Sequence, residues 1–135
     1  MKLWAHTYRT QMLQVAKPIA AIEASPYVGR STCNDLLTTT YNAQSELQRA
    51  PDPDIDESLR KALDNFAEGG TFCLQEQNGL RDTYLLLGKS GITLMEALLS
   101  ERYSEQGVPG LAEPPEGGSA IGRRAVEFAS NLKGQ

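Results

Sequence analysis

The stretch APDPDIDESLRKALDNFAEGGTFC, residues 50–73, decides the fold. Pro51 and Pro53 stop one segment and restart another. Asp54 followed by Glu57 reads as a capping box, so a helix is predicted to open there. From that point Ile55, Leu59, Leu63, Phe66, Gly70 and Cys73 step by 4, 4, 3, 4 and 3, which is one face of an α-helix.

The segment before the prolines, roughly Thr32 to Arg49, has the same character. Thr32 with Asp35 is a variant capping box, and Cys33, Leu37, Thr40 or Tyr41, Ala43 or Gln44, and Leu47 line a stripe. The threonines at 38–40 are poor helix formers, so this helix leans on its neighbours. So short a connector predicts an antiparallel hairpin. Facing positions in such a hairpin have a constant index sum. For Cys33 and Cys73 the midpoint is residue 53, inside the connector. Each arm is about 20 residues, or about 30 Å, so the two cysteines fall level at the open end. A disulfide is expected there. Closing a loop of about 40 residues stabilises by about 4 kcal/mol in the chain-entropy account. The opposing reading is a pair of buried free thiols acting as small apolar side chains.

Working outward, roughly Leu3 to Ala24 carries Trp4, Tyr8, Met12, Val15, Ile19 and Ile22 at helical spacing. Pro18 inside it is expected to kink it or split it after Ala16 or Lys17. After the decisive stretch, Asn78-Gly79 reads as a helix C-cap. Roughly Leu80 to Tyr103 then carries Leu80, Tyr84, Leu87, Gly91, Leu94 and Leu98, widened by Leu85, Leu86, Ile92, Met95 and Leu99. It is the most apolar segment and is expected at the centre of the bundle. The periodicity also runs through the break at 78–79. A hairpin is preferred over one helix from Asp54 to Tyr103, because such a helix would be about 75 Å long. Residues 107–118 are rich in Gly, Pro and Glu and read as a linker. Ser119 to Lys133 reads as a last helix with Ile121, Ala125, Phe128 and Leu132 on one face. The expected architecture is all-α: an up-and-down four-helix bundle over 1–106, the linker at 107–118, and a short C-terminal helix at 119–135 that packs on the bundle or is tethered to it.

The chain has 135 residues, 13 Lys+Arg against 17 Asp+Glu, and net charge −4. Its pI is near 5.0, which argues against generic nucleic-acid binding. No apolar run approaches the roughly 18–20 residues that span a bilayer. Residues 1–6 lack the apolar run of a signal peptide, so either the chain is cytosolic or Met1 replaces a removed leader.

The search for chemistry returns little. Gly88-Lys89-Ser90 resembles the end of a phosphate-binding loop, but position 83 is threonine where that loop needs glycine. Gly88, Gly91 and Gly69-Gly70 read instead as points of close helix approach. His6 is the single histidine and reads as solvent-facing. Asp52, Asp54, Asp56 and Glu57 lack EF-hand spacing and read as helix N-terminal carboxylates. Glu23, Glu68, Glu96 and Glu127 lack the histidines of a di-metal bundle. No catalytic set, metal site or cofactor is expected. Trp4, Tyr8, Tyr27, Tyr41, Tyr84 and Tyr103 read first as core and second as the wall of a ligand pocket between helices. Arg123, Arg124 and Phe128 read first as a solvated helix and second as a partner-binding tail.

Asn78-Gly79-Leu80-Arg81-Asp82-Thr83-Tyr84, with Leu87-Gly88, resembles a helix of phycobiliproteins over about eleven residues. The bilin-bearing cysteine of that family lies in a Cys-x-Arg-Asp context, whereas Cys73 is followed by Leu74, Gln75 and Glu76, so neither bilin nor fold is carried over. As a pattern alone, the Cys…Pro-rich turn…Cys hairpin resembles small secreted bacterial helical proteins, with no activity implied.

The leading expectation is a non-enzymatic, extracytoplasmic module, secreted or periplasmic, that binds a protein partner or a small apolar ligand and is stapled by Cys33–Cys73. The alternative is a cytosolic helical adapter or regulator with reduced cysteines. Either is expected as a monomer or a homodimer.

Overall fold

The computed structural model describes residues 1–115 and 118–134, and every regular element among them is a helix. In chain order these are α1 (Lys2–Ala24), α2 (Arg30–Glu46), α3 (Pro53–Leu74), α4 (Asn78–Tyr103) and α5 (Ala120–Lys133). The packing is a helical bundle with a short C-terminal helix. The packing is most extensive between α3 and α4, then between α2 and α3, α1 and α2, and α4 and α5.

The stripes of α1 and α3 are buried as expected. Trp4, Tyr8, Met12, Val15, Ile19 and Ile22 face inward from α1, and Ile55, Leu59, Leu63, Phe66, Gly70 and Cys73 from α3. Three local expectations differ. α1 runs unbroken through Pro18, whose own ring is buried between Val15 and Ile19. Burying residues on both sides of the proline offsets its missing N–H, about 3 kcal/mol in an exposed helix. α3 opens two residues earlier than its expected capping box. Asp52 is the N-cap and accepts from the N–H groups of Asp54 and Ile55, because Pro53 suits the first helical position. α2 opens on Gly29 rather than on a Thr32 capping box.

The hairpin of α3 and α4 is real, but its turn lies at 75–77, with Glu76 left-handed at φ 58°. Asn78-Gly79 therefore opens α4 instead of capping α3. Gly79 is needed for another reason: a Cβ there would lie 2.2 Å from Phe128 Cδ2, so the glycine is the seat of α5. Gly88 does the same for Phe66, whose ring would meet a Cβ at 2.4 Å.

On α4 the inward stripe is turned from the one read first. Leu85, Gly88, Ile92, Met95 and Leu99 are buried, together with Arg81, Asp82 and Lys89. Leu80, Tyr84, Leu87, Gly91, Leu94 and Leu98 are half-buried or exposed.

Residues 104–113 make no helix, yet Val108 and Leu111 are buried in the core. This segment forms a strap across the seam between α1 and α4, whose backbones make no extended approach. Glu116 and Gly117, in the expected linker, and Gln135 lie outside the described residues.

Candidate functional site

Polar groups inside the molecule gather along the α1–α4 seam. Arg81 is 1% exposed and Lys89 2%, so each charge needs partners. Arg81 Nε donates to Asp82 Oδ1 at 3.0 Å, and its Nη1 donates to Pro26 O and Asn78 Oδ1. Asp82 in turn accepts from Arg124 Nε at 3.1 Å, and Arg124 Nη2 donates to Ile22 O at 2.6 Å. The Asp82 carboxylate thereby joins α4 to α5, and the Arg124 guanidinium joins α5 to the end of α1. Lys89 Nζ donates to Gly110 O and Leu111 O and lies 3.6 Å from Glu23 Oε1. Glu23 Oε2 accepts from Ile121 N at the start of α5. Glu113 receives the N–H and hydroxyl of Ser119, whose oxygen caps α5.

Further along the seam Tyr8 donates to Glu96 Oε2 at 2.7 Å, and Val108 N donates to the same oxygen at 2.8 Å. Burial pushes the Glu96 carboxyl above the usual value of 4.5, against the two donors that favour its charge. Burial and the neighbouring Glu96 hold Tyr8 well above 10. For Glu96 the folded pKa exceeds the unfolded one. Its contribution to stability is therefore full below about pH 4.5 and lost as pH rises through the folded value. Glu96→Gln keeps the accepting oxygen and removes the titration. It should gain on the parent as pH rises from 4 to 8, read as thermal midpoints by circular dichroism. Glu96→Ala should instead lose about 1–3 kcal/mol at pH 7, because Tyr8 and Val108 are left unpaired. A Gln variant that falls behind with rising pH would refute this assignment.

At the far end of the α3–α4 hairpin Asp52 accepts from the Tyr103 hydroxyl at 2.8 Å and from Arg102 at 3.0 Å. The tyrosine bond, more than the arginine, holds the Asp52 carboxyl below 3.8. Its sign is opposite to that of Glu96: the stability it contributes is present above pH 3.8 and lost as pH falls through the folded value.

Cys33 and Cys73 are bonded, with Cα atoms 5.5 Å apart, and both are buried. The aromatic set does not assemble into one wall. Trp4 donates to Gln48 O and stacks on Tyr8, both in the core near the start of α1. Tyr84 stacks on Phe72 near the turn into α4. Tyr41 is 52% exposed on α2. An open cleft of about 470 Å³ beside Trp4 is lined by Met1, Leu3, Gln48, Arg49 and Pro51. Arg124 and Phe128 fasten α5 to α4, while Arg123 is exposed and donates to Gly118 O. His6 is exposed. Among the described residues no cluster of three or more His, Cys, Asp or Glu side chains is placed to hold a metal ion, and no helix is long and apolar enough to cross a membrane.

The chain matches no protein-family model, no curated protein and no solved structure.

What remains is a surface. The buried charged groups Arg81, Asp82 and Lys89 are spent on fastening helices and the strap, and the outward face of α4 is apolar. Leu87 is 51% exposed and Leu94 56%, with Leu80, Leu86 and Leu98 half-buried beside them. Between α3 and α4 this face opens a groove of about 440 Å³ lined by Asp54, Glu57, Ser58, Lys61, Gly91, Leu94, Leu98 and Arg102, so ionised groups rim it on the α3 side and at the Arg102 end. The charges on the α4 sequence pointed away from the interior: Arg81 and Lys89 share a stripe with Leu85, Ile92 and Leu99, and cations on a stripe ordinarily mark its solvent side.

Proposed function

We propose that this chain is a non-enzymatic, extracytoplasmic helical module for protein interaction, stapled by the Cys33–Cys73 disulfide. The observation that carries the reading is the outward face of α4, where leucines meet solvent on a helix that a solitary protein would cover with charge. The compartment is supported by the buried cysteine pair, since disulfides persist where the surroundings are oxidising. Protein interaction is favoured over a small apolar ligand because Trp4, Tyr8 and Tyr84 are occupied in packing and converge on no common cavity. Catalysis has no support in the seam, where Asp82, Lys89 and Glu96 each bind the groups that hold α5 and the strap.

The test is intact mass after thiol alkylation, under denaturing non-reducing conditions, on protein from its native host. Two unmodified cysteines are expected. Two alkylated cysteines would overturn the compartment and leave the alternative, a cytosolic adapter using the same α4 face.

A further inference from the structure

We infer that the outward face of α4 pairs with the same face of a second copy, antiparallel, about a two-fold axis level with Gly88 and Lys89. This rests on the reading of that face as an interaction surface and names its occupant.

The seam of the face is Leu80, Thr83, Leu87, Ser90, Leu94 and Ala97, stepping by 3, 4, 3, 4 and 3. That is the heptad period of one helix packing along another, now on the side turned away from the core. Large and small residues alternate along it: leucine at 80, 87 and 94, and threonine, serine and alanine at 83, 90 and 97. An antiparallel copy whose facing positions sum to 177 sets Leu80 on the partner's Ala97, Leu87 on the partner's Ser90, and Leu94 on the partner's Thr83. Every leucine then meets a small residue, and the same contacts recur on both sides, as a two-fold interface requires. A parallel copy in register would stack leucine on leucine and leave gaps at the small layers.

Charge points the same way. Between Leu80 and Leu98 the arc facing solvent carries no ionised group. Lys89 is buried under the strap, and Glu96 turns to Tyr8 and Val108. Along the leucine seam a strongly acidic or basic partner would find no counter-charge, whereas a second copy presents an equally uncharged seam; Asp54, Glu57, Lys61 and Arg102 lie beside it, around the groove toward α3. Glu101 and the partner's Glu76 come level only beyond the leucine layers, and both are exposed. Added salt should therefore strengthen association rather than break it. The seam is about 27 Å long at 1.5 Å per residue, small for a stable interface, so a Kd of roughly micromolar size is expected.

The experiment is sedimentation velocity on the oxidised full chain from about 1 to about 500 µM, a range that brackets such a constant. A concentration-dependent dimer is expected for the parent. Leu87→Glu and Leu94→Glu should each be monomeric throughout, and Leu13→Glu, on the exposed side of α1, should dimerise as the parent does. A second variant guards against glutamates that unfold the chain. Thr83→Cys with Leu94→Cys places thiols about 16 Å apart within one helix, too far to bond, but opposite each other across the seam. Oxidation should give a covalent dimer. A monomeric parent, a dimer indifferent to folded Leu87→Glu and Leu94→Glu, or no cross-link from the cysteine pair would each overturn the pairing. A monomer whose Cys33–Cys73 is oxidised in the host sinks the pairing alone. A dimer whose native thiols alkylate sinks the extracytoplasmic reading alone.

Discussion

Cys33→Ala with Cys73→Ala is expected to lower stability by about 4 kcal/mol, for a loop closed over 40 residues. For a chain of this length that is a fall of about 14 °C in thermal midpoint, read by calorimetry or circular dichroism. The size follows from where the bond sits. It joins the first turn of α2 to the last turn of α3, at the end of the hairpin farthest from the 47–52 connector. α2 is the most polar of the five helices and carries Thr38, Thr39 and Thr40, so little besides packing and this bond holds it helical. Protection of α2 amides from hydrogen exchange should fall before that of α3 and α4 in the variant. A loss below about 1 kcal/mol would mean that the hairpin is already closed in the unfolded ensemble or held by packing alone.

Asp82→Ala is expected to lose about 3–5 kcal/mol, measured by denaturant unfolding. Asp82 is the carboxylate between Arg81 and Arg124, and Arg81 has almost no contact with solvent. Its removal leaves a buried guanidinium without counter-charge. Replacing both groups with apolar ones, Arg81→Met with Asp82→Leu, should recover part of the loss, because no ion then stays unpaired. Arg124→Met should cost less than Asp82→Ala, since Arg124 is partly exposed and water can take up its role. An Asp82→Ala protein as stable as the parent would show that the seam relaxes to admit water.

The contrast between α3 and α4 explains which features could be read from the chain. α3 has one apolar stripe and polar residues elsewhere, so periodicity alone located its buried face. α4 has two. Leu85, Ile92, Met95 and Leu99 face the core, while Leu87 and Leu94 face outward with Leu80 half-buried beside them. Summed hydrophobicity cannot rank two such stripes. Only the pairing of Arg81 and Lys89 separates them, and several of those partners, Pro26 for Arg81 and Glu23, Gly110 and Leu111 for Lys89, are remote in sequence. The cysteine pairing was legible because a short connector makes facing positions an arithmetic matter. Pro53 misled by two residues: placed in the connector ahead of an Asp54 cap, it is the first residue of α3, with Asp52 as the cap. The strap escaped because Val108 and Leu111 are too few to make a period, though each buries fully.

The strap and α5 also set an order of events for a chain made from its N-terminus. α1 with α2, α2 with α3, and α3 with α4 are neighbours in sequence and can zip as they emerge. The seam between α1 and α4 cannot. Ile22 waits for Arg124 and Glu23 for Ile121, spans of 102 and 98 residues. Until those residues leave the ribosome, a nascent chain halted before Val108 lacks the strap partners of Lys89 and Glu96. The last quarter of the sequence thus acts as a closing seam on a barrel of helices whose first three joints are already made.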